Sequence, residues 1–147
     1  VNIERIATIA AKECVKQQVG LDRFSFLVEA YRYALNAADM HSRLHEHIQT
    51  INSIIEPANN GSFRRIAVRF PDFSVAVDAK EIPEAMSRLV EVSIAAQQAN
   101  MQDRWIKDFL DVHPFVDGNG RTAWILRTWL MDEWSYPNAL PNYYAGK

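Results

Sequence analysis

His113-Pro114-Phe115-Val116-Asp117-Gly118-Asn119-Gly120-Arg121 is the stretch on which the reading of this chain turns. Before it, Trp105, Ile106, Phe109 and Leu110 recur at helical spacing, and after it Ala123, Leu126, Leu130 and Trp134 do the same. The nine residues therefore form a loop that joins two helices. A loop of small residues opening into a helix makes an anion site, because the first helical N–H groups have no internal partner and the dipole adds partial positive charge. Gly118 and Gly120 let the backbone approach phosphate oxygens, and Arg121 in the first turn offers a charged fork of donors. Asp117 supplies a hard oxygen ligand for a magnesium ion that already carries phosphates. His113, at the other end of the loop, carries the side chain best suited to accept a proton from a hydroxyl at neutral pH. Taken singly, these residues have ordinary readings: a histidine before proline usually ends a helix at the surface, and Gly-Asn-Gly is usually a turn. A base, a carboxylate, two glycines and an arginine within nine residues are hard to assign to packing alone. Phe115 reads as a core anchor.

Working outward, Ile3, Ile6, Ala7, Ala10 and Cys14 mark a first helix that runs to Val19 and stops at Gly20. Asp22 is placed to cap a second, with Phe24, Leu27, Val28, Tyr31 and Leu35 on one face. Met40, Leu44, Ile48, Ile51 and Ile55 give a third before Pro57. After the turn-forming residues 57–62 the period changes to two. Ile66, Val68 and Phe70 alternate, as do Val75 and Val77 across Pro71-Asp72, which predicts a β-hairpin. Pro83 suits the first turn of a further helix carrying Ile82, Met86, Leu89, Val90 and Ile94. The expected fold is mostly α, a single domain over residues 1–147.

Composition narrows the function classes. A chain of 147 residues with 48% hydrophobic and 23% charged side chains is an ordinary globular protein. Its net charge of −2 lacks the basic excess that nucleic-acid backbones demand, so any nucleotide site is local. The one cysteine, Cys14, cannot form an internal disulfide and reads as a buried small hydrophobe in a reducing compartment. No apolar run reaches the roughly 20 residues a bilayer requires and no signal pattern opens the chain, so a cytoplasmic location is expected. Starting at Val1 and stopping at Lys147, the chain is compatible with being a piece of a longer protein.

At every defined position the nine-residue loop resembles the signature of the Fic family. Other stretches resemble it more loosely: Leu44-His45 on a helix, Gly61-Ser62-Phe63-Arg64 leading into the hairpin, Pro83 opening a helix with Met86 and Leu89, and Tyr136-Pro137 after the motif helix. The resemblance runs from about Ala38 to Tyr144. It implies a Fic-type helical bundle in which the hairpin, about Ile66 to Val77, forms a flap beside the active-site loop. It further implies transfer of AMP from ATP to a Ser, Thr or Tyr hydroxyl of a protein substrate. Carried over, His113 is the general base and Asp117 holds Mg2+. Gly118, Asn119 and Gly120 line the anion site, and Arg121 binds phosphate. Ile66, Val68 and Val75 are the flap residues that pair with an extended target segment, and the resemblance also admits an antitoxin or inhibitory partner.

The chain departs from the family's pattern at Trp124, where the usual motif has a second arginine that orients the terminal phosphate. Arg127 lies one turn further on, rotated by roughly 60° from the expected position. Relatives similar to the Doc toxin lack the second arginine and transfer a phosphate, but their loop carries Ala and Lys where this chain has Gly118 and Gly120. Three readings follow: AMP transfer, Doc-like phosphotransfer, or a degenerate nucleotide-binding module. Ser25-Phe26-Leu27-Val28-Glu29-Ala30 resembles the family's inhibitory helix except at its last position, and a solvated Glu29 is the plainer reading. His41, His45 and His47 stand at helical spacing but read as helix-face residues in the absence of a recognised metal pattern.

Overall fold

Asn2 starts the bundle by capping the first helix, its Oδ1 accepting the Arg5 N–H at 2.9 Å. The computed structural model describes residues 2–37 and 39–142, so Ala38, Tyr144 and the rest of the C-terminal end of the resemblance lie outside the described residues. The helices within them are α1 (Ile3–Lys16), α2 (Asp22–Leu35), α3 (Leu44–Ile55), α4 (Ile82–Gln98), α5 (Gln102–Val112) and α6 (Asn119–Leu130). Several expected boundaries move: α3 begins at Leu44, after Met40 and a short 3-10 turn, and α6 ends at Leu130, short of Trp134. α1 ends at Lys16 rather than Val19, because Gln18 takes a left-handed conformation (φ 57°) and Val19 N–H reaches back to Cys14 O at 3.1 Å. Asp22 stands inside the first turn of α2 rather than at its cap, where its charge still opposes the positive end of the helix.

α6 is the axis of the fold. Ala123, Trp124, Ile125 and Leu126 are all fully buried, so the helix is enclosed on every side by α1, α2, α3 and α5. Trp124 stacks on Tyr31 with ring centroids 5.4 Å apart and donates its Nε1–H to Asn138 O at 2.9 Å. The position at which a second motif arginine would stand is therefore core. α4 packs on α5, and Trp105 Nε1 donates across that contact to Leu89 O at 2.8 Å. After α6 the chain returns along α1, where Leu140 N–H donates to Glu13 Oε1 at 2.7 Å and Lys16 Nζ donates to Leu140 O at 2.6 Å.

The β-hairpin expected over Ile66 to Val77 is corrected: among the described residues no strand forms. The two legs meet at one antiparallel bridge, Arg69 with Val75, flanked by Ala76 N–H to Val68 O (3.0 Å) and Phe70 N–H to Ser74 O (2.8 Å). Three local features limit the ladder. Pro71 has no N–H, the Asp72 carboxylate accepts from Ser74 N at 2.9 Å, and the carbonyls of Ile66 and Val77 are taken by the Arg64 guanidinium. A two-stranded ribbon without a third strand is marginal even when its alternation is good. The segment is a tied loop, here called the flap.

Candidate active site

The motif loop is fixed from three directions. From within, Asn119 closes a ring with Phe115: its Oδ1 accepts the Phe115 N–H at 3.0 Å and its Nδ2 donates to Phe115 O at 2.8 Å. From α3, the buried Asn52 donates Nδ2 to Asp117 O at 3.0 Å, and Asn59 donates to the same carbonyl at 2.9 Å. Gly118 sits in the left-handed region (φ +82°), where an added Cβ would lie 3.0 Å from Asn52 Nδ2 and 3.1 Å from Ile55 Cγ2. Glycine is required there by both backbone and space. At Gly120 the constraint differs, because a Cβ would fall 2.6 Å from both amide atoms of Gln17 at the end of α1.

The third direction is Arg64, which is 2% exposed. Its backbone N–H donates to Pro114 O at 2.8 Å, its Nε to His113 O at 2.6 Å and its Nη2 to Val112 O at 3.0 Å. The remaining donors go to Ile66 O at 2.7 Å and to Val77 O. Burial lowers the guanidinium from its ordinary value, and Asp78 opposes that shift.

His113 ends α5 in the left-handed region (φ 51°), its N–H still bonded to Phe109 O at 3.0 Å. The imidazole meets the Phe70 ring edge-on with centroids 5.3 Å apart, so the flap touches the candidate base directly. His113, Asp117, Gly118, Asn119 and Gly120 all line one cavity of about 330 Å³, a volume at the lower end for small-ligand sites. The structure thus brings together five of the expected site residues.

Arg121, expected to bind phosphate, does not line that cavity. Its side chain is fully buried beneath the loop, with Nη2 on Glu56 Oε1 at 2.7 Å and on Asp117 Oδ1 at 3.3 Å. Its Nε and Nη1 are buried without a hydrogen-bond partner among the described residues. The reason is its place on α6: the third residue of a helix buried all round faces the end of α3, where Glu56 waits. Glu56 also accepts from Arg23 Nε at 3.0 Å. Arg127 pairs with Asp103 (3.0 Å) and Glu133 (3.2 Å), so it does not substitute for the missing second arginine.

The opposite wall of the cavity was not anticipated. Glu13, Lys16, Gln17 and Gln18 of the α1 end and Leu140, Pro141 and Asn142 of the returning chain form it. Nothing in their local sequence marks them. Asn52 and Glu56 did leave a signal, as polar residues continuing the apolar face Leu44, Ile48, Ile51, Ile55. Cys14, 3% exposed, is buried as expected, and burial pushes its thiol up while Arg121 opposes the shift.

The remaining sequence candidates lie elsewhere. Ile66 and Val75 on the flap are exposed and Val68 is half-buried. Ser25 and Glu29 line a separate groove between α1 and α2. His41 packs on Trp129, His47 bonds Tyr33 Oη at 2.7 Å and His45 is exposed, so the three histidines do not converge. Among the described residues no cluster of three His, Cys, Asp or Glu side chains is placed to hold a metal ion. Asp117 nevertheless fits magnesium: its side chain is 62% exposed at the cavity, and among the described residues its Oδ1 is engaged by Gly118 N–H at 2.8 Å and by Arg121. A single carboxylate suffices for an ion bound chiefly through phosphates and water. No helix of the described residues is long and apolar enough to cross a membrane.

A search of curated proteins gives no match to this chain. A family model described as the Fic/DOC family matches residues 36–131, which runs from the end of α2 through the whole of α6 and so contains the loop, the flap and Arg64. With the loop, its supporting helices and that match in agreement, the chain belongs to the Fic/DOC family.

Proposed function

We propose that this chain is a protein adenylyltransferase that moves AMP from ATP to a Ser, Thr or Tyr hydroxyl of a protein substrate. The observation that carries the reading is the placement of His113 and the N-terminus of α6 on one cavity, a base and an anion site within reach of one ligand. His113 takes the proton of the target hydroxyl, whose oxygen attacks the α-phosphorus. The bond from that phosphorus to the bridging oxygen breaks, and pyrophosphate leaves in line. Asp117 is the residue that would hold magnesium, which would screen the phosphate charge when bound. The unpaired N–H groups of the first α6 turn and Lys16 on the facing wall meet the phosphate charge. Arg121 acts from beneath, by its charge and by holding Asp117 Oδ1. The exposed flap residues Ile66 and Val75, with Val68, are the surface offered to an extended target segment.

A second reading, Doc-like phosphotransfer or nucleotide binding without transfer, is favoured by Trp124, which leaves no second motif guanidinium at the cavity. Labelled ATP separates the readings. Transfer of label from the α-position to protein supports adenylylation, label from the γ-position alone supports phosphotransfer, and neither, with ADP bound as tightly as ATP, supports the non-catalytic module. In the first two cases His113→Ala abolishes labelling while ATP affinity by calorimetry is largely kept, because the base acts on the hydroxyl and not on the phosphates. Full activity in His113→Ala sinks the enzymatic reading.

A further inference from the structure

We propose that Arg64 is a positioning residue that couples the flap to the general base, through one guanidinium that holds the end of α5 and both legs of the flap. The idea rests on the reading of His113 as the base. Arg64 binds three successive carbonyls, Val112, His113 and Pro114, with side chain and backbone together. These belong to the last turn of α5 and the start of the loop, where a helix leaves its carbonyls without internal partners. The other arms of the same fork hold Ile66 O and Val77 O, the two points at which the flap leaves the bundle. His113 ends α5 in the left-handed region common at helix C-termini, and there its carbonyl accepts from Arg64 while its ring meets Phe70 of the flap. A displacement of either flap leg by a docking target pulls on the plane that sets the height of the imidazole over the cavity. Only a planar group with five donors can serve carbonyls in so many directions; a lysine ammonium reaches fewer of them.

Native-state hydrogen exchange on the unmodified protein tests the coupling without any assay of activity. The amides of Arg64, Phe70 and Ala76, bonded to Pro114 O, Ser74 O and Val68 O, are expected to open together with one denaturant dependence. Free exchange of Phe70 and Ala76 while Arg64 stays protected to the global limit overturns the proposal. In the transfer assay, Arg64→Lys is expected to lower kcat by about 100-fold, the scale of a base displaced by about 1 Å. Its Kd for ATP should stay within about threefold of the parent. An unchanged kcat, or equal losses in kcat and ATP affinity, overturns the positioning role. If Arg64→Lys does not fold, the exchange result decides alone. A parent chain that transfers neither α- nor γ-label defeats the general-base reading and leaves the exchange result standing.

Discussion

Glu56→Gln is the perturbation that most directly probes how the loop is held. Glu56 is 4% exposed and its Oε1 serves Arg121 at 2.7 Å and Arg23 at 3.0 Å, while Arg121 itself is fully buried. Replacing the charge by an amide of the same shape leaves Asp117, whose side chain is mostly exposed, as the remaining ion-pair partner of Arg121 among the described residues. Removing one partner of a buried pair costs about 3–5 kcal/mol, because the remaining charge is stranded away from water. For a chain of this length, that loss lowers the melting temperature by about 6–20 °C. Arg23→Ala, which removes the partly exposed member, is expected to cost about 1 kcal/mol or less. Urea unfolding of both variants measures the difference, and Glu56→Gln combined with Arg121→Met should recover much of the loss, because no buried cation then remains. A loss in Glu56→Gln no larger than that of Glu84→Gln, which disrupts the exposed Arg88–Glu84 pair, would show that the Arg121 site is wet and refute the account of it as a buried support.

The two loop glycines should respond differently to alanine. Gly118→Ala meets the Asn52 side chain in a left-handed backbone and should lose about 1–2 kcal/mol by urea unfolding. Gly120→Ala meets only the flexible end of Gln17, so its loss should stay below about 1 kcal/mol; equal losses would contradict the geometry. Trp124→Arg places a charge in the core between Tyr31 and α6. It should fail to fold or lose several kcal/mol rather than gain transfer activity, and a stable, more active Trp124→Arg protein would show that the position reaches the cavity. Burial pushes the Tyr31 hydroxyl up to about 12. Because the folded value is raised, its contribution is fully present below the unfolded value of about 10 and is lost as pH climbs between the two, about 2–3 kcal/mol in total. Absorbance titration at alkaline pH should show Tyr31 ionising late and together with unfolding, and early ionisation in a folded chain would reject the shift.

The sequence by itself determined whatever depends on local pattern. Helical spacing located all six α-helices of the described residues, since each buries one stripe or, for α6, nearly its whole circumference. The loop of His113, Asp117, Gly118, Asn119 and Gly120 was legible as a group because these residues lie within eight positions of one another, and the chain keeps them on one cavity. Alternation alone misread the flap, because whether a β-ladder closes depends on where its carbonyls go, and Arg64 takes two of them. Adjacency in sequence likewise does not say where the Arg121 side chain goes. Its direction is set by which neighbour lies across α6, and only folding brings Glu56 from the end of α3 to meet it. The second wall of the cavity comes from the end of α1 and from residues 140–142, more than a hundred positions apart. No local pattern encodes such a meeting; it is decided by the packing of α1 and the returning chain against the central helix.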